Sequence, residues 1–513
     1  MGPSCAYAVR ADQIFEFRLR GAVFVETERM VSDVPAVTAP PGRSADASGA
    51  NAKPDTGALP LAPRNPLSLR QMARAVRALD MGQQVIRAAG GAVTRVQFGP
   101  RWLVPPLVAV FSPEGIRDVL GRNDAFAERC IVHDEVRHAA GDSLFVLPNE
   151  QWRPRKRALQ PVFTKHSVRA FGGHMSRAAQ TLVDEWADQW AQADSLEVDL
   201  DAVCRRVTMQ SLGRSVLGID LNERADVIVE HMHVASSYAT DRALRPLRAP
   251  RWLPTPARRR ARAAVAAMRA VTAEILQACR DDADRDAPLV RALMAAEDPE
   301  TGERLSDEDI CNDLLIFMLA GHDTTATALT YALWALGHHP EIQDRVAAEA
   351  RALGDRELTP ADVPQLGYTV QVLHESLRMC PPAAGVGRLA LRDIAVAGHR
   401  VEAGSLVALG IYAVHHDPQL WPDPEVFDPD RFSPENSRER DRWHFIPFAG
   451  GARACIGEHF ARLETTLALA TIIRSVVVGS VDAEFPVDVP FTTVAKGPIR
   501  ANVAPRGPDH YTL

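Results

Sequence analysis

One cysteine constrains this chain more than any other residue. It sits in Phe448-Ala-Gly-Gly-Ala-Arg453-Ala-Cys455-Ile-Gly457, directly ahead of HFARLETTLALATIIR, which reads as an amphipathic helix. A helix N-terminus and its free N–H groups lower a thiol pKa, so the placement points to a thiolate. Gly450, Gly451 and Gly457 remove Cβ atoms where the backbone must approach something flat and large. Arg453, two residues before the sulfur, is placed to hold an anionic group beside a metal. A lone cysteine among turn glycines is usually structural. The surrounding pattern is what sets this one apart.

Two further patterns lie upstream. HESLR puts Glu375 and Arg378 at i and i+3 on one helical face, where they can pair. Downstream, FDPDRF presents Arg431 between an acid and an aromatic ring. A guanidinium fork matches a carboxylate bidentately, so one glutamate can tie two elements together. The second pattern is LLIFMLAGHDTTATALTYALWAL, apolar nearly all round and hence a buried helix. Ala320-Gly321-His322-Asp323-Thr324-Thr325 interrupts it, and a threonine hydroxyl that bonds backbone carbonyls can bend a helix there.

Together these residues resemble the cytochrome P450 family. The loop pattern FxxGxRxCxG is matched by Phe448, Gly451, Arg453, Cys455 and Gly457, and the other motifs precede it in the family's order. The resemblance covers residues from about 61 to about 505. It implies a mainly α fold with a minor β region, a single large heme-enclosing domain, and heme b as cofactor with Cys455 as its metal ligand. It implies a structural Glu375–Arg378–Arg431 triad behind the cysteine loop. It also implies that Thr324 hydrogen-bonds the dioxygen being activated and that Asp323 relays protons from solvent. A carboxylate with a hydroxyl suits that proton delivery, and a thiolate opposite favours O–O cleavage.

The heme's two carboxylates need donors. The resemblance points to Arg453, to Arg388 in PPAAGVGRLAL, and to Trp152 with the residue four later. That residue is Lys156, where the family usually has arginine, so it would act as a point charge rather than a fork. Arg157 stands next to it as a substitute. The cluster Arg153, Arg155, Lys156 and Arg157 would offer a docking face to an acidic ferredoxin or flavodoxin, served by an NAD(P)H reductase. Only 58 residues follow Cys455, so a separate redox partner is expected.

By the same resemblance, substrate contacts fall on 128–148, 232–256, 316–324, 383–387 and 491–494. Residues in and beside them are mainly apolar: Ile131, Val132, Phe145, Leu315, Ala320, Val386 and Phe491. That suits a lipid, fatty acid, terpene, sterol or polyketide. Nine arginines and no acid lie from Arg242 to Arg269, around WLPTP. They read as a solvated helix start, or as an attractor for carboxylated substrates or a membrane surface near the access path.

Composition supports a globular chain. Of 513 residues, 46% are hydrophobic and 24% charged, which excludes a mostly disordered polymer. Net charge is −7, so no basic excess suggests nucleic acid. Seven widely spaced cysteines without CxxC argue for free thiols and a cytoplasmic setting. A membrane span needs roughly 18 apolar residues. The nearest candidate, 324–337, carries four threonines, so no transmembrane anchor is expected. Residues 1–60 read as an N-terminal extension with a Pro-, Ala- and Gly-rich linker or disordered stretch, followed by one domain over 61–510. The leading reading is an oxygen-inserting monooxygenase. Peroxide-driven oxidation on the same scaffold and a non-catalytic heme sensor are the alternatives, and the Asp323-Thr324 pair argues against both.

Overall fold

Ser306 opens the longest helix, Asp307–His338. The Ser306 hydroxyl accepts from the Asp309 amide and the Asp309 carboxylate accepts from the Ser306 amide, both at 3.2 Å. This reciprocal cap satisfies donors that a helix start otherwise leaves bare. The structure, a computed structural model, describes residues 56–78, 80–97, 104–121, 126–128, 130–219, 225–244 and 249–507. The expected extension therefore lies almost wholly outside the described residues.

The Asp307–His338 helix is the axis of the molecule. Leu314, Met318, Leu329, Leu333 and Leu336 on it have no exposed surface. Each such burial contributes roughly 1.5–3 kcal/mol. Helices Leu200–Leu212, Pro256–Asp281, Gly367–Met379 and Glu458–Ser475 pack against it. The interruption expected at 320–325 does not break it. The helix runs on unbroken, and the Thr324 and Thr327 hydroxyls donate to the carbonyls of Ala320 and Asp323 at 2.7 and 2.9 Å. At its C-terminal end Gly337 lets a strand approach: a Cβ there would lie 2.2 Å from Ser480 Oγ.

Two other helices differ from expectation. The sequence pattern over 67–88 predicts one helix, whereas the structure has two, Leu69–Arg77 and Asp80–Gly90. Gly82 sits against the Ala75 carbonyl, where a Cβ would lie 1.7 Å from the oxygen, so the second helix folds closely over the first. The helix after the cysteine is not amphipathic in the folded chain. It is buried on every side from Leu463 to Arg474 because Gly172–Trp190 and Pro340–Arg351 also pack on it. Apolar residues at helical spacing predict helices in 167–192, 197–217 and 256–280, and the structure has Gly172–Trp190, Leu200–Leu212 and Pro256–Asp281 there.

Strands occupy the margins. The largest sheet runs Val93–Val96, Leu107–Val110, Leu406–Gly410, Gly385–Ala390, Phe126–Glu128. Its Leu107–Val110 and Leu406–Gly410 strands are parallel; its other pairs are antiparallel. A second sheet joins Leu196–Asp199, Arg500–Pro505 and Val476–Ser480, tying the middle of the chain to its end. The VAGHRV hairpin turns through Ala397 and Gly398, both at positive φ (43° and 76°). At the front of the described chain, Leu61 bridges to Arg400, and the Arg95 amide donates to the Pro63 carbonyl at 2.7 Å. No helix among the described residues is long and apolar enough to cross a membrane.

Candidate active site

The cysteine loop is shaped by its backbone. Ala449 and Gly451 take positive φ (57° and 72°), and the Cys455 amide donates to the Phe448 carbonyl at 3.0 Å. Gly450 lies flat against Trp443, where a Cβ would come within 2.7 Å of the ring. Gly457 leads into Glu458–Ser475. Cys455 lies deep in the protein mass, yet its surface is open. The two are compatible when the sulfur faces an enclosed interior space. Burial pushes its thiol up to about 11, against the Gly457 amide, which pulls it down; Glu458 raises it and Lys156 lowers it. Helix placement alone therefore does not make the expected thiolate. Metal coordination deprotonates a thiol outright.

The residues expected around anionic groups are arranged as follows. Arg453 is buried, lies 4.3 Å over the Trp152 ring, and donates to the Leu147 carbonyl at 2.9 Å and to Asn149 Oδ1 at 2.8 Å. Lys156 lies 5.4 Å from the same ring and donates to the Ala452 carbonyl at 2.6 Å, inside the cysteine loop. Arg388 is 3% exposed, donates to the Gly387 carbonyl at 2.9 Å and meets no carboxylate among the described residues. Burial lowers its proton affinity.

The basic cluster does not form the face the sequence suggests. Arg155 is buried and paired with Asp309 and Asp313 of the long helix. Arg157 is bound by both oxygens of Asp298, at 2.9 and 2.8 Å, so it is no substitute for Lys156. Only Arg153 of the four is exposed. Each of the others satisfies an internal acid or carbonyl, which spacing along the chain does not reveal.

Glu375 and Arg378 are wholly buried, and Arg378 binds both carboxylate oxygens at 2.7 and 2.8 Å. The other face of the carboxylate receives the Asp428 amide at 2.9 Å and stands 3.4 Å from Arg431 Nε. Arg431 also donates to the carbonyls of Pro422 and Asp423 at 2.6 and 2.8 Å. Arg378 reaches the His415 carbonyl at 2.9 Å. One glutamate thus joins its own helix to the segment carrying Arg431.

On the long helix, Asp323 is 4% exposed and held by groups the sequence did not reveal. Arg205 Nη1 donates to it at 2.7 Å, His322 Nδ1 lies 3.1 Å from the same oxygen, and His233 Nε2 stands 3.6 Å from the other. Burial raises the Asp323 carboxyl, but His233, His322 and Arg205 outweigh it and hold the group below the usual carboxylate range. The His233 side chain is 37% exposed, so it links Asp323 towards solvent. Nearby, Ala320 is open to space, within a stretch of the helix, 310–336, that is otherwise buried or half-buried.

An apolar cavity adjoins the same helix. Val136, Met232, Ala239, Leu315, Leu319 and Phe491 line it. The expected segments 128–148, 232–256, 316–324 and 491–494 contribute to the lining, while 383–387 does not. Phe145 stands behind Phe491, with ring centroids 5.8 Å apart. Two arginines of the arginine-rich stretch are structural. Arg242 pairs with buried Glu135 at 2.7 Å, and Arg258 collects the carbonyls of Pro250 and Leu253 at 2.8 and 2.7 Å. Trp252, between them, is 80% exposed.

A family model described as Cytochrome P450 matches residues 77–492. The chain belongs to the cytochrome P450 family. Among its relatives, cyclooctat-9-en-7-ol 5-monooxygenase of Streptomyces melanosporofaciens is 31% identical, over 75% of this chain and 82% of that one. Cytochrome P450 4F8 of Homo sapiens is also 31% identical, over 73% and 77%. The crystal structure of the cytochrome P450DA heme domain superimposes with a TM-score of 0.74 at 26% identity, covering 88% of this chain and 98% of that one. The mainly helical fold with small sheets is the P450 fold, and the protein is a P450 monooxygenase using heme b.

The residues of this P450 fit such a cofactor. Cys455 offers an open sulfur inside the protein, and a Cβ added at Gly457 would meet only that sulfur, at 3.9 Å. Arg388 is a buried cation without a carboxylate partner among the described residues, as a group bearing carboxylates requires.

Proposed function

We propose that this P450 inserts one oxygen atom into an apolar organic molecule of the lipid, fatty-acid or terpene kind. Its electrons would come from a separate ferredoxin or flavodoxin with an NAD(P)H reductase. The observation that carries the substrate class is the cavity beside the long helix. Its lining holds no charged side chain and one hydroxyl, Ser236. A site of that kind rewards apolar surface and penalises an unpaired charge. The relative whose name states oxidation of cyclooctat-9-en-7-ol supports the same class.

On this reading the residues take the following roles. Cys455 is the metal ligand, with Phe448 and Gly457 framing its loop. Arg453, Arg388 and Lys156, with Trp152 stacked between two of them, face the cofactor's carboxylates. Glu375, Arg378 and Arg431 hold the loop's surroundings rigid. Heme, when bound, supplies dioxygen activation and oxygen insertion. Asp323 receives protons from the solvent side through His233, and Thr324 holds a hydroxyl proton on the neighbouring position of the helix. The catalytic domain spans 61–510, with residues 1–60 as an extension.

The test is turnover of the heme-loaded protein with a ferredoxin, its reductase, NADPH and isotopically labelled O₂ over a panel of fatty acids and terpenes. Labelled product from apolar members and none from multiply charged ones is expected. Product formed with peroxide alone would favour a peroxygenase. Binding without NADPH-coupled oxygen uptake would favour a sensor.

A further inference from the structure

Asp313 lies on the long helix with no exposed surface, and its two carboxylate oxygens hold different parts of the chain. Oδ1 accepts from the Leu144 amide at 2.7 Å, and Oδ2 accepts from Arg155 Nη1 at 2.9 Å. Arg155 also reaches Asp309, one turn earlier on the long helix. One acid thus fastens both a loop and the helix Asn149–Leu159.

Both fastened pieces lead to the cysteine loop. From Leu144 the chain turns tightly, the Val146 and Leu147 amides donating to the Ser143 carbonyl at 3.0 and 3.1 Å. The Leu147 carbonyl and the Asn149 side chain then receive Arg453. The helix held through Arg155 carries Trp152, whose ring lies against Arg453 and Lys156, and Lys156 itself, which donates to the Ala452 carbonyl. Gly141, at φ 92°, lets the start of the loop close on the long helix: a Cβ there would lie 2.8 Å from Asn312 Nδ2. A binding constellation keeps its geometry when the groups behind it are locked in this way.

The charge on Asp313 matters because a neutral acceptor would hold the amide but hold the guanidinium far less well. Burial pushes its carboxyl up to about 6; Arg155 and the Leu144 amide pull it down, and Asp309 raises it. Charged groups on the other elements packed there are engaged elsewhere. Arg269 of Pro256–Asp281 donates to the Ala140 carbonyl, Asp142 of the loop is bound by Arg137, and Arg291 of Pro288–Ala295 donates to the carbonyls of Arg285 and Asp282. Asp313 therefore takes up a proton in milder acid than an ordinary carboxylate does.

We propose that Asp313 is a positioning residue for the donors to the cofactor's carboxylates: its charge fixes Arg453, Trp152 and Lys156 through the 143–149 segment and Arg155. This rests on the reading that those three residues face the heme's carboxylates. Asp313 touches neither heme nor substrate and acts through the two pieces it holds. When it is protonated, Arg155 keeps Asp309 as its charged partner, the donors lose their fixed spacing, and heme is held less tightly. A carboxyl raised above its unfolded value weakens the fold while charged, so gaining the proton does not itself lower stability. Faster heme loss on crossing that range is then a matter of position, not of unfolding.

The experiment follows heme transfer from the loaded protein to excess apomyoglobin between pH 5 and pH 8, with melting curves alongside, in the native chain, Asp313→Asn, Arg155→Gln and Arg453→Gln. The native rate is expected to rise at least tenfold as pH falls through about 6, without a matching drop in melting temperature. Asp313→Asn should transfer heme at the fast acid rate throughout. A flat native rate, or the native pH profile kept in Asp313→Asn, overturns the proposal. Should Asp313→Asn fold poorly, Arg155→Gln keeps the acid and removes the cation that lowers it, so the transition should move to higher pH; an unmoved transition overturns the proposal. Arg453→Gln separates the two readings. Native transfer in that variant shows that Arg453 does not face the heme's carboxylates and overturns both. Fast transfer there beside native transfer in Asp313→Asn overturns the positioning role alone.

Discussion

Arg205 Nη1 sits 2.7 Å from Asp323 Oδ1, across 118 residues of chain, and its Nε binds Asp201 at 2.7 Å. The acid of the long helix is therefore clamped by a neighbouring helix. Asp323 is held below its usual range, so it adds stability above roughly pH 4 and loses it as pH falls through its folded value. Arg205→Met leaves a buried carboxylate without its main cation, a loss of about 3 kcal/mol at pH 7. The gap between native and variant melting curves should narrow steadily below pH 4. A gap that stays constant in acid would show that Arg205 acts by packing alone.

Thr324 separates chemistry from stability. Its hydroxyl donates to the Ala320 carbonyl at 2.7 Å, a bond that merely duplicates backbone pairing. Thr324→Ala should therefore change stability by less than about 1 kcal/mol. Product formed per NADPH should nevertheless fall several-fold while peroxide rises, and Thr324→Ser should restore coupling. Equal coupling in all three chains would remove the hydroxyl from proton delivery.

How much of this was readable in advance depends on distance along the chain. The cysteine loop, the Glu375–Arg378 pair and the Ala320–Thr325 segment each carry their chemistry within ten residues, so spacing displayed them. The partners of Asp323 did not show, because Arg205 and His233 come from other helices and look like ordinary surface residues in sequence. The basic cluster near Lys156 misled for the converse reason. Arg155 and Arg157 find Asp309, Asp313 and Asp298 only after folding. The helix after the cysteine reads as amphipathic, yet folding encloses it on all sides from Leu463 to Arg474, because its other neighbours come from distant segments.

Glu375 offers the sharpest structural test. Glu375→Gln keeps the shape but leaves Arg378, wholly buried, without a charge partner, at a cost of roughly 3–5 kcal/mol. The cysteine loop should loosen with it, so the variant should release heme readily and melt earlier. Arg378→Lys should behave almost as badly, because a single ammonium cannot reproduce the two bonds at 2.7 and 2.8 Å. Heme retention at the native level in both variants would show that the triad is dispensable.

Cys455 and the cavity can be probed separately in one series. Cys455→Ala should abolish the strongly red-shifted Soret band of the reduced CO complex; a retained thiolate spectrum would place the ligand elsewhere. Ala239→Phe, by contrast, fills the cavity from the Ala225–Leu244 helix and leaves the cysteine loop alone. It should keep the CO spectrum and lose bulky substrates. Phe491→Ala removes a ring from the opposite wall, packed edge-on against Phe145. Losing one buried aromatic wall costs about 1.5–3 kcal/mol of apolar contact, roughly a tenfold or greater loss in affinity for substrates that touch it. Larger substrates should gain relative to smaller ones in Phe491→Ala and lose in Ala239→Phe. Unchanged size preference in both variants would show that substrates occupy a different part of the molecule.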